Sequence, residues 1–365
     1  MSKRFFAIRR ADYRLLTFAI GLSIIGLVMV HSASVNIGIE QFGDPSYYFK
    51  RQTVSFLIGL VVLIITSSIS LEWIQKRAAL WLLLTVAGLV LVLLFPASGN
   101  IKSWAKIGPF VIQTSEVAKL TFILFFAAWL ERRTKVMGSW LTFVSFLVII
   151  GIISALVMMQ PDLGTLSIIL AIAFTMYFVA GMKLTQLVTW LGLTGAGAWF
   201  YIMQAPYRLQ RILTFLNPGT DAEGAGYHLR NIAITVGTGS WWGLGLGNSR
   251  QKRLFLPEPH NDSIFAVIVE ELGFIRAALL MLAIFYLVWR ILKIAQRISE
   301  PYPRFVLVGI AGWIFWQSFL NIGAMIGLLP LTGVPLPFIS YGGSSLVVLM
   351  AAIGIALSAS KYVNR

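Results

Sequence analysis

The stretch FLPEPHNDSIFAVIVEELGF, residues 255–274, poses the central problem of this chain. It holds four carboxylates, Glu258, Asp262, Glu270 and Glu271, in a chain of 365 residues with only 14 Asp+Glu. It also opens an apolar run from Ser263 to Ile294. As a helix that run is about 48 Å long, against a bilayer hydrocarbon core of about 30 Å. Part of it must therefore stand outside lipid. Counting about 20 residues back from Arg290 sets the outer boundary near Glu271. Glu270 and Glu271 are then expected at the interface, and Asp262 about two helical turns beyond it.

Two readings of these acids stand side by side. They solvate a loop and suit the positive end of a helix start, or they line a protein pocket at the outer membrane surface. For Asp262 the pocket reading has Pro257 and Pro259 upstream and His260 close by in sequence.

The remaining composition agrees with a membrane setting. Hydrophobic residues make up 58% of the chain, charged residues 12%, and mean hydropathy is +0.82. A soluble domain is nearer half apolar and about a quarter charged. Apolar runs lie near 15–30, 53–69, 78–95, 115–130, 140–159, 163–182, 184–203, 263–289, 305–329 and 344–360. The expected fold is all-α: one polytopic membrane domain over residues 1–365, with ten transmembrane helices. A long extracytoplasmic loop, about 204–260, is expected between helices 7 and 8. The start MSKRFFAIRRADYR is basic and no small-residue cleavage site follows the first run, so Leu15–Val30 is read as a retained helix.

Ten spans put both termini on one side. With the basic amino terminus inside, 17 of the 29 Lys+Arg fall inside and 10 outside. Six of the outer ones share the one long loop, and long loops translocate largely regardless of charge. Both termini are therefore expected in the cytoplasm. The net charge of +15 is spread over loops rather than gathered on a motif, which fits anionic lipid headgroups and not nucleic acid. The absence of cysteine excludes disulfides and thiolate chemistry. His31, His228 and His260 are scattered and offer no metal-ligand spacing.

Other polar groups interrupt apolar surroundings. Glu116 and Lys119, three apart, share a helix face. They form either a salt bridge that lets the helix enter lipid, or a functional intramembrane pair. Asp162, between Pro161 and Gly164, suits an N-cap in a tight turn and is also a candidate site acid. The long loop carries Arg208, Arg211, Arg230, Arg250, Lys252 and Arg253 with Trp241 and Trp242, a set suited to headgroups or to a lipid-linked diphosphate. In LLPLTGVPLPFISYGGSS, three prolines and three glycines make a stiff connection. Non-helical backbone at membrane depth is tolerated against protein or a cavity. Ser340, Gly342 and Gly343 are accordingly candidate wall positions of a substrate cavity.

Taken together, these stretches resemble the SEDS family (shape, elongation, division and sporulation), which includes RodA and FtsW. The resemblance runs through MVHSAS (Met29–Ser34), QTSEVAK (Gln113–Lys119), QPDLGT (Gln160–Thr165), YRLQR (Tyr207–Arg211), GAGYH (Gly224–His228), LPEPHNDSIFAVIVEELGF and GVPLPFISYGGSS (Gly333–Ser345). GYH leans to RodA, MVHSAS and GPFVIQTSE to FtsW, with FtsW slightly favoured. The chain departs from the family pattern at Thr114, Asn261, Ser263, Val269 and Arg276, and over Asn100–Trp104 and Arg230–Gly243.

The resemblance implies a peptidoglycan glycosyltransferase of the bacterial cytoplasmic membrane that polymerises lipid II on the outer face. It implies Asp262 as the essential catalytic acid, with Glu116, Lys119 and Asp162 at substrate-binding positions. Arg208, Arg211 and His260, with Ser340, Gly342 and Gly343, complete the candidate substrate set. A class B penicillin-binding protein and other divisome or elongasome membrane proteins are the implied partners. A divalent cation, Mg or Mn, could assist, although no ligand cluster demands one. The expected chemistry has Asp262 as general base in an inverting displacement of diphosphate. The rival readings are a flippase of the lipid-linked precursor and a scaffold that only recruits a partner.

Overall fold

The computed structural model describes residues 12–94, 104–107, 110–160, 162–204, 206–217, 224–252 and 255–363. Lys3, Arg4, Arg9, Arg10, residues 100–103, Pro161, Arg253 and Arg365, which carried parts of the sequence argument, lie outside the described residues.

The chain is a helical bundle. Its long helices are α1 (Tyr13–Phe42), α2 (Tyr47–Ser68), α3 (Leu71–Leu94), α4 (Thr114–Glu131), α5 (Trp140–Met158), α6 (Leu163–Val179) and α7 (Leu184–Met203), then α10 (Ile264–Gln296), α11 (Pro301–Met325) and α12 (Gly343–Ser360). Two shorter helices, α8 (Pro206–Leu216) and α9 (Ala225–Thr238), lie between α7 and α10. Among the described residues, seven helices are long and apolar enough to cross a membrane.

Local chemistry sets the helix ends. Asp12, Ser139 and Asp162 each accept a backbone N–H of the first turn of α1, α5 and α6. Each such cap is worth about 1 kcal/mol. Gly43 ends α1 in the left-handed region, φ 67°. Pro301 opens α11, where its missing N–H costs nothing.

Burial ranks the helices. In α11, 78% of the most apolar window is buried, and in α3 only 17%. The centre is therefore α11, packed against α4, α6 and α10, while α12 packs closely on α2. A Cβ at Gly354 of α12 would lie 2.5 Å from the Leu63 carbonyl of α2, so that contact requires glycine. Outward faces carry large apolar side chains such as Leu83, Leu141 and Leu184, all well exposed. A continuous belt of this kind marks a lipid-facing surface.

Three features differ from the sequence-based expectation. The long segment 204–260 is not a plain loop, because it folds into α8 and α9. Two short strands, β1 (Trp104–Ile107) and β2 (Phe110–Gln113), pair antiparallel, so the chain is not wholly α-helical. Third, α10 is broken at Gly273, φ 82° and ψ 168°.

The break explains the carboxylates of the opening stretch. Helical bonding is lost around Glu270–Ile275, and the segment 239–252 supplies the missing partners. Leu244 and Gly245 N–H groups bond the Glu270 and Glu271 carbonyls at 2.9 and 3.0 Å. Phe274 and Ile275 N–H groups bond Ser240 and Trp241 carbonyls at 2.9 and 3.4 Å. The two backbones touch at Gly243 and Gly273, where a Cβ on either would come within 2.5 Å of the other. Every orphaned backbone group at membrane depth must find such a partner.

Glu270 and Glu271, expected at the outer interface, are fully buried in protein by this graft. Glu271 pairs with Lys252 at 2.6 Å and accepts from Ser32 Oγ at 2.6 Å. Glu270 accepts from Ser249 Oγ, the Arg250 N–H and Thr238 Oγ1. Lys252 is thereby withdrawn from the set of cations proposed for a diphosphate. The reason is that a buried carboxylate holds its cation far more tightly than an exposed one.

Candidate active site

Asp262 sits in the tight turn that precedes α10. The turn is held by Asn261 and Ser263 N–H groups on the Glu258 carbonyl, at 3.1 and 3.3 Å. Glu258 itself adopts φ 45°, a conformation that side chains other than Asn, Asp and Gly rarely take. Ser263 Oγ donates to the Pro257 carbonyl at 2.9 Å. Its one proton is thus committed, so the 2.9 Å contact with His228 Nε2 has the histidine as donor. His228, on α9, thereby closes the turn from the side.

The connection between α11 and α12 is nailed to the same turn. Asn321 Nδ2 donates to the carbonyls of Asp262, at 2.8 Å, and Val334, at 2.7 Å. Ser340 Oγ donates to the Asn261 carbonyl at 2.8 Å and accepts the Leu336 N–H at 2.7 Å. The Tyr341 N–H bonds the His260 carbonyl at 2.8 Å. Gln52 of α2 bridges Ser340 and Gly342. Gly343 packs on Ser55, too closely for a Cβ. Ser340, Gly342 and Gly343 therefore shape the wall through backbone and packing.

A cleft of about 240 Å³, its mouth included, opens here, lined by His228, Asp262, Asn321, Thr332 and Gly333 among others. Asp262 Oδ1 and Asn321 Oδ1 have no hydrogen-bond partner. Oδ2 of Asp262 lies 3.3 Å from where a Cβ on Gly333 would be, so a side chain there would press on the carboxylate. Burial, then the nearby Glu258 and Asp162 carboxylates, push the Asp262 pKa up to about 7. An acid left unpaired and poised near neutrality has the signature of a proton acceptor.

The other expected residues have different roles. Asp162 caps α6 through the Thr165 N–H at 2.9 Å and also accepts from Thr165 Oγ1, Gln113 and Ser115. It is close enough to Asp262 for the two charges to interact. Glu116 and Lys119 form a wholly buried pair at 2.8 Å. Lys119 also donates to Gln317 Oε1 at 2.9 Å, and Gln317 Nε2 donates to the Pro335 carbonyl at 2.9 Å. The pair thus reaches the cleft wall through Gln317 and does not itself line the cleft.

His260 is buried in an aromatic cluster, 4.3 Å from the Tyr48 ring and 5.5 Å from Tyr341. Burial holds its imidazole down near 4, hence neutral. Arg208 stacks on Tyr201 at 3.6 Å and donates to its carbonyl. Arg211 is exposed and close enough to act, after burial, in lowering His228 to about 4. Among the described residues no group of three His, Cys, Asp or Glu is placed to hold a metal.

Sequence reasoning missed His228, Asn321 and Gln317. His228 could have been found, because it closes the GAGYH stretch and is one of only three histidines. Asn321 and Gln317 are amides in an apolar helix and gave no distinctive signal.

Comparisons with known proteins identify the family and the fold. Residues 13–365 match the FtsW/RodA/SpoVE cell cycle protein family. The chain is 38% identical, over 97% of its length and 90% of the relative, to the probable peptidoglycan glycosyltransferase FtsW of Allochromatium vinosum. It is 38% identical to stage V sporulation protein E of Bacillus subtilis, over 96% of this chain and 97% of that one. A chain solved in a peptidoglycan synthase complex that coordinates polymerization and crosslinking superposes with TM-score 0.79 at 26% identity, covering 96% and 97% of the two chains. The Thermus thermophilus rod shape determining protein RodA shares the fold, with TM-score 0.71 at 23% identity over 96% of both chains. By sequence match along nearly its whole length, this chain belongs to the FtsW/RodA/SpoVE cell cycle protein family.

Proposed function

We propose that this chain is a peptidoglycan glycosyltransferase that polymerises lipid II, with Asp262 as its general base. The observation that carries the assignment is the half-buried Asp262 carboxylate, which faces the cleft with its Oδ1 unpartnered and is poised near neutrality. Asp262 takes the proton of the acceptor sugar's 4-hydroxyl as that oxygen bonds to the anomeric carbon of the donor. The bond from that carbon to the diphosphate oxygen breaks, and the undecaprenyl diphosphate leaves with the electron pair. Diphosphate is a good leaving group, so one base suffices. Arg211, exposed beside the cleft, and Arg208 offset the charge that develops on it.

All ten long helices cross the bacterial cytoplasmic membrane, with both termini inside and Asp262 at the outer face. The charge asymmetry of the short connections supports this orientation. A class B penicillin-binding protein is the partner, with other divisome or elongasome membrane proteins around it. The peptidoglycan synthase complex that contains a structural neighbour supports such pairing. A divalent cation, Mg or Mn, fits only partly. Asp262 Oδ1 and Asn321 Oδ1 are hard, unpartnered oxygens, and Mg²⁺ typically takes few protein ligands and completes its shell with water and substrate phosphate. When bound, such an ion would neutralise diphosphate charge.

The broken α10 is the one feature that favours a flippase, since transporters place discontinuous helices at substrate sites. Here the break is filled by residues 240–245 and lies away from the cleft. Purified full-length chain, given lipid II in detergent, separates the readings. Polymer formation that vanishes in Asp262→Asn supports the transferase; unaltered polymer from that variant overturns the role of Asp262.

A further inference from the structure

The end of the bundle opposite Asp262 holds a second polar recess. It forms where the α2–α3 connection, the last turn of α4, the first turn of α11 and the chain after α12 meet. Glu72, Gln75, Glu131, Tyr302 and Tyr362 line it, with Glu300 at the rim, around about 410 Å³ of space including its mouth. In a chain with 14 acids and a net charge of +15, three carboxylates converge at one point.

Helix capping accounts for part of this. Glu72 lies in the first turn of α3 and Glu300 is the N-cap residue of α11, where negative charge is favoured. Glu131 has the opposite position. It is the last residue of α4, where the helix dipole opposes an anion, and it is half-buried. Its hydrogen-bond partner is the neutral amide of Gln75. Among the described residues none of the three acids makes an ion pair. Of the nearby arginines, Arg77 stacks on Trp73 at 4.2 Å and Arg133 on Trp129 at 4.4 Å, while Arg132 is close enough for its charge to act on Glu131 without forming an ion pair.

An independent observation points the same way. Tyr302 is only 2% exposed, yet its hydroxyl has no partner. It lines the recess and is near enough to Glu131 to feel its charge. A buried, unsatisfied hydroxyl is costly, and its oxygen is free to accept from a donor that enters the recess. No metal-ligating trio exists among the described residues. An organic cation fits the convergent carboxylates and aromatic rings. Carboxylates set around tyrosine rings suit a planar guanidinium better than an ammonium, because it donates in a fork and stacks on aromatic faces.

We propose that this recess binds an arginine side chain presented by a partner's polypeptide segment. It is thus a docking point separated from the Asp262 cleft by the length of the bundle. Basic segments concentrate at anionic membrane surfaces, which places such a side chain within reach. The assignment does not depend on the reaction at Asp262.

The test uses the full-length chain in lipid nanodiscs and the blocked peptide acetyl-Gly-Arg-Gly-amide, read by saturation-transfer NMR. The arginine peptide binds, and its citrulline counterpart binds at least about tenfold more weakly, as expected for loss of a charged hydrogen-bonding group. Glu131→Gln weakens the arginine peptide by a similar factor and Tyr302→Phe by a smaller one. If Glu131→Gln fails to fold, the exposed Glu300→Gln serves, with the same direction of change. Equal binding of citrulline, tighter binding of spermidine, no binding of the arginine peptide, or unchanged affinity in a folded Glu variant would each overturn the proposal.

Discussion

Asp262 and the pair Glu270–Glu271 lie within ten residues of one another and have opposite fates. The glutamates are saturated: Ser32, Lys252, Ser249, Thr238 and backbone N–H groups satisfy them, and they fasten the 239–252 segment into the break of α10. Asp262 keeps an oxygen without any donor and faces a cleft. A carboxylate that is fully hydrogen-bonded stabilises a structure and has nothing left to accept a proton with. One that is buried and unpaired weakens the fold and stays available for chemistry.

The largest effect expected from this contrast is on turnover. Asp262→Asn keeps shape and removes the base, and is expected to reduce polymerisation about 10²–10⁴-fold. Its melting temperature should not fall, since no hydrogen bond to the Oδ1 oxygen is lost. A variant that loses activity and also unfolds would make Asp262 a structural acid like its neighbours.

Next comes the saturated side. Lys252→Ala strands Glu271 in the interior, and breaking a buried pair in this way costs about 3–5 kcal/mol. Thermal unfolding in detergent checks it. Lys252→Met combined with Glu271→Gln should recover most of that loss, because neither buried charge then remains. If Lys252→Ala is as stable as the parent, the graft into α10 is not held by this pair.

A smaller effect falls on the break itself. Gly273→Ala puts a Cβ at φ 82° against the Gly243 amide and the Trp242 carbonyl carbon. The strained backbone alone costs on the order of 1–3 kcal/mol. Alanine at an exposed helical glycine such as Gly192, which has open space around it, is the matching control and should not destabilise.

How much of this was legible beforehand differs by element. The apolar run 163–182 gave α6, Leu163–Val179, within three residues at its end, because that helix is apolar throughout. The first run, 15–30, fell short of α1, which continues to Phe42. Its second half carries Ser32, Ser34 and Gly38, buried against protein rather than lipid. Hydropathy records what faces lipid, not what is helical. The break in α10 was hidden because one glycine in an apolar run looks innocuous, and its compensating donors come from about 30 residues upstream. The strand pair had a signal that went unused: the Gly108–Pro109 pair is a turn dipeptide between two short runs. At the site, Asp262 and Asp162 stood out because charge is rare in this chain, while the Glu116–Lys119 pair, expected at the cavity, reaches its wall only through Gln317. Asn321 and Gln317 were not, since their importance lies in which carbonyls they reach.

The last and smallest expected effect is the pH dependence of stability, and its sign separates the two kinds of acid. Folding raises the Asp262 pKa from 3.8 to about 7. Between those values the folded chain binds a proton that the unfolded chain has released. Stability from this group therefore falls as pH rises from about 4 to about 7 and is level above that. A full pKa unit corresponds to about 1.4 kcal/mol, and water at the cleft mouth reduces the net effect to the order of 1 kcal/mol. Asp262→Asn lacks the slope, so the variant should gain stability relative to the parent across that range. Denaturation at a series of pH values between 4 and 8 measures the difference. Activity runs the other way, because the base must be ionised: turnover should climb with pH along a limb centred near 7 and flatten above it. A parallel pair of curves, with activity and stability both rising, would mean that Asp262 is paired in the folded chain and that the contrast with Glu270 and Glu271 does not hold.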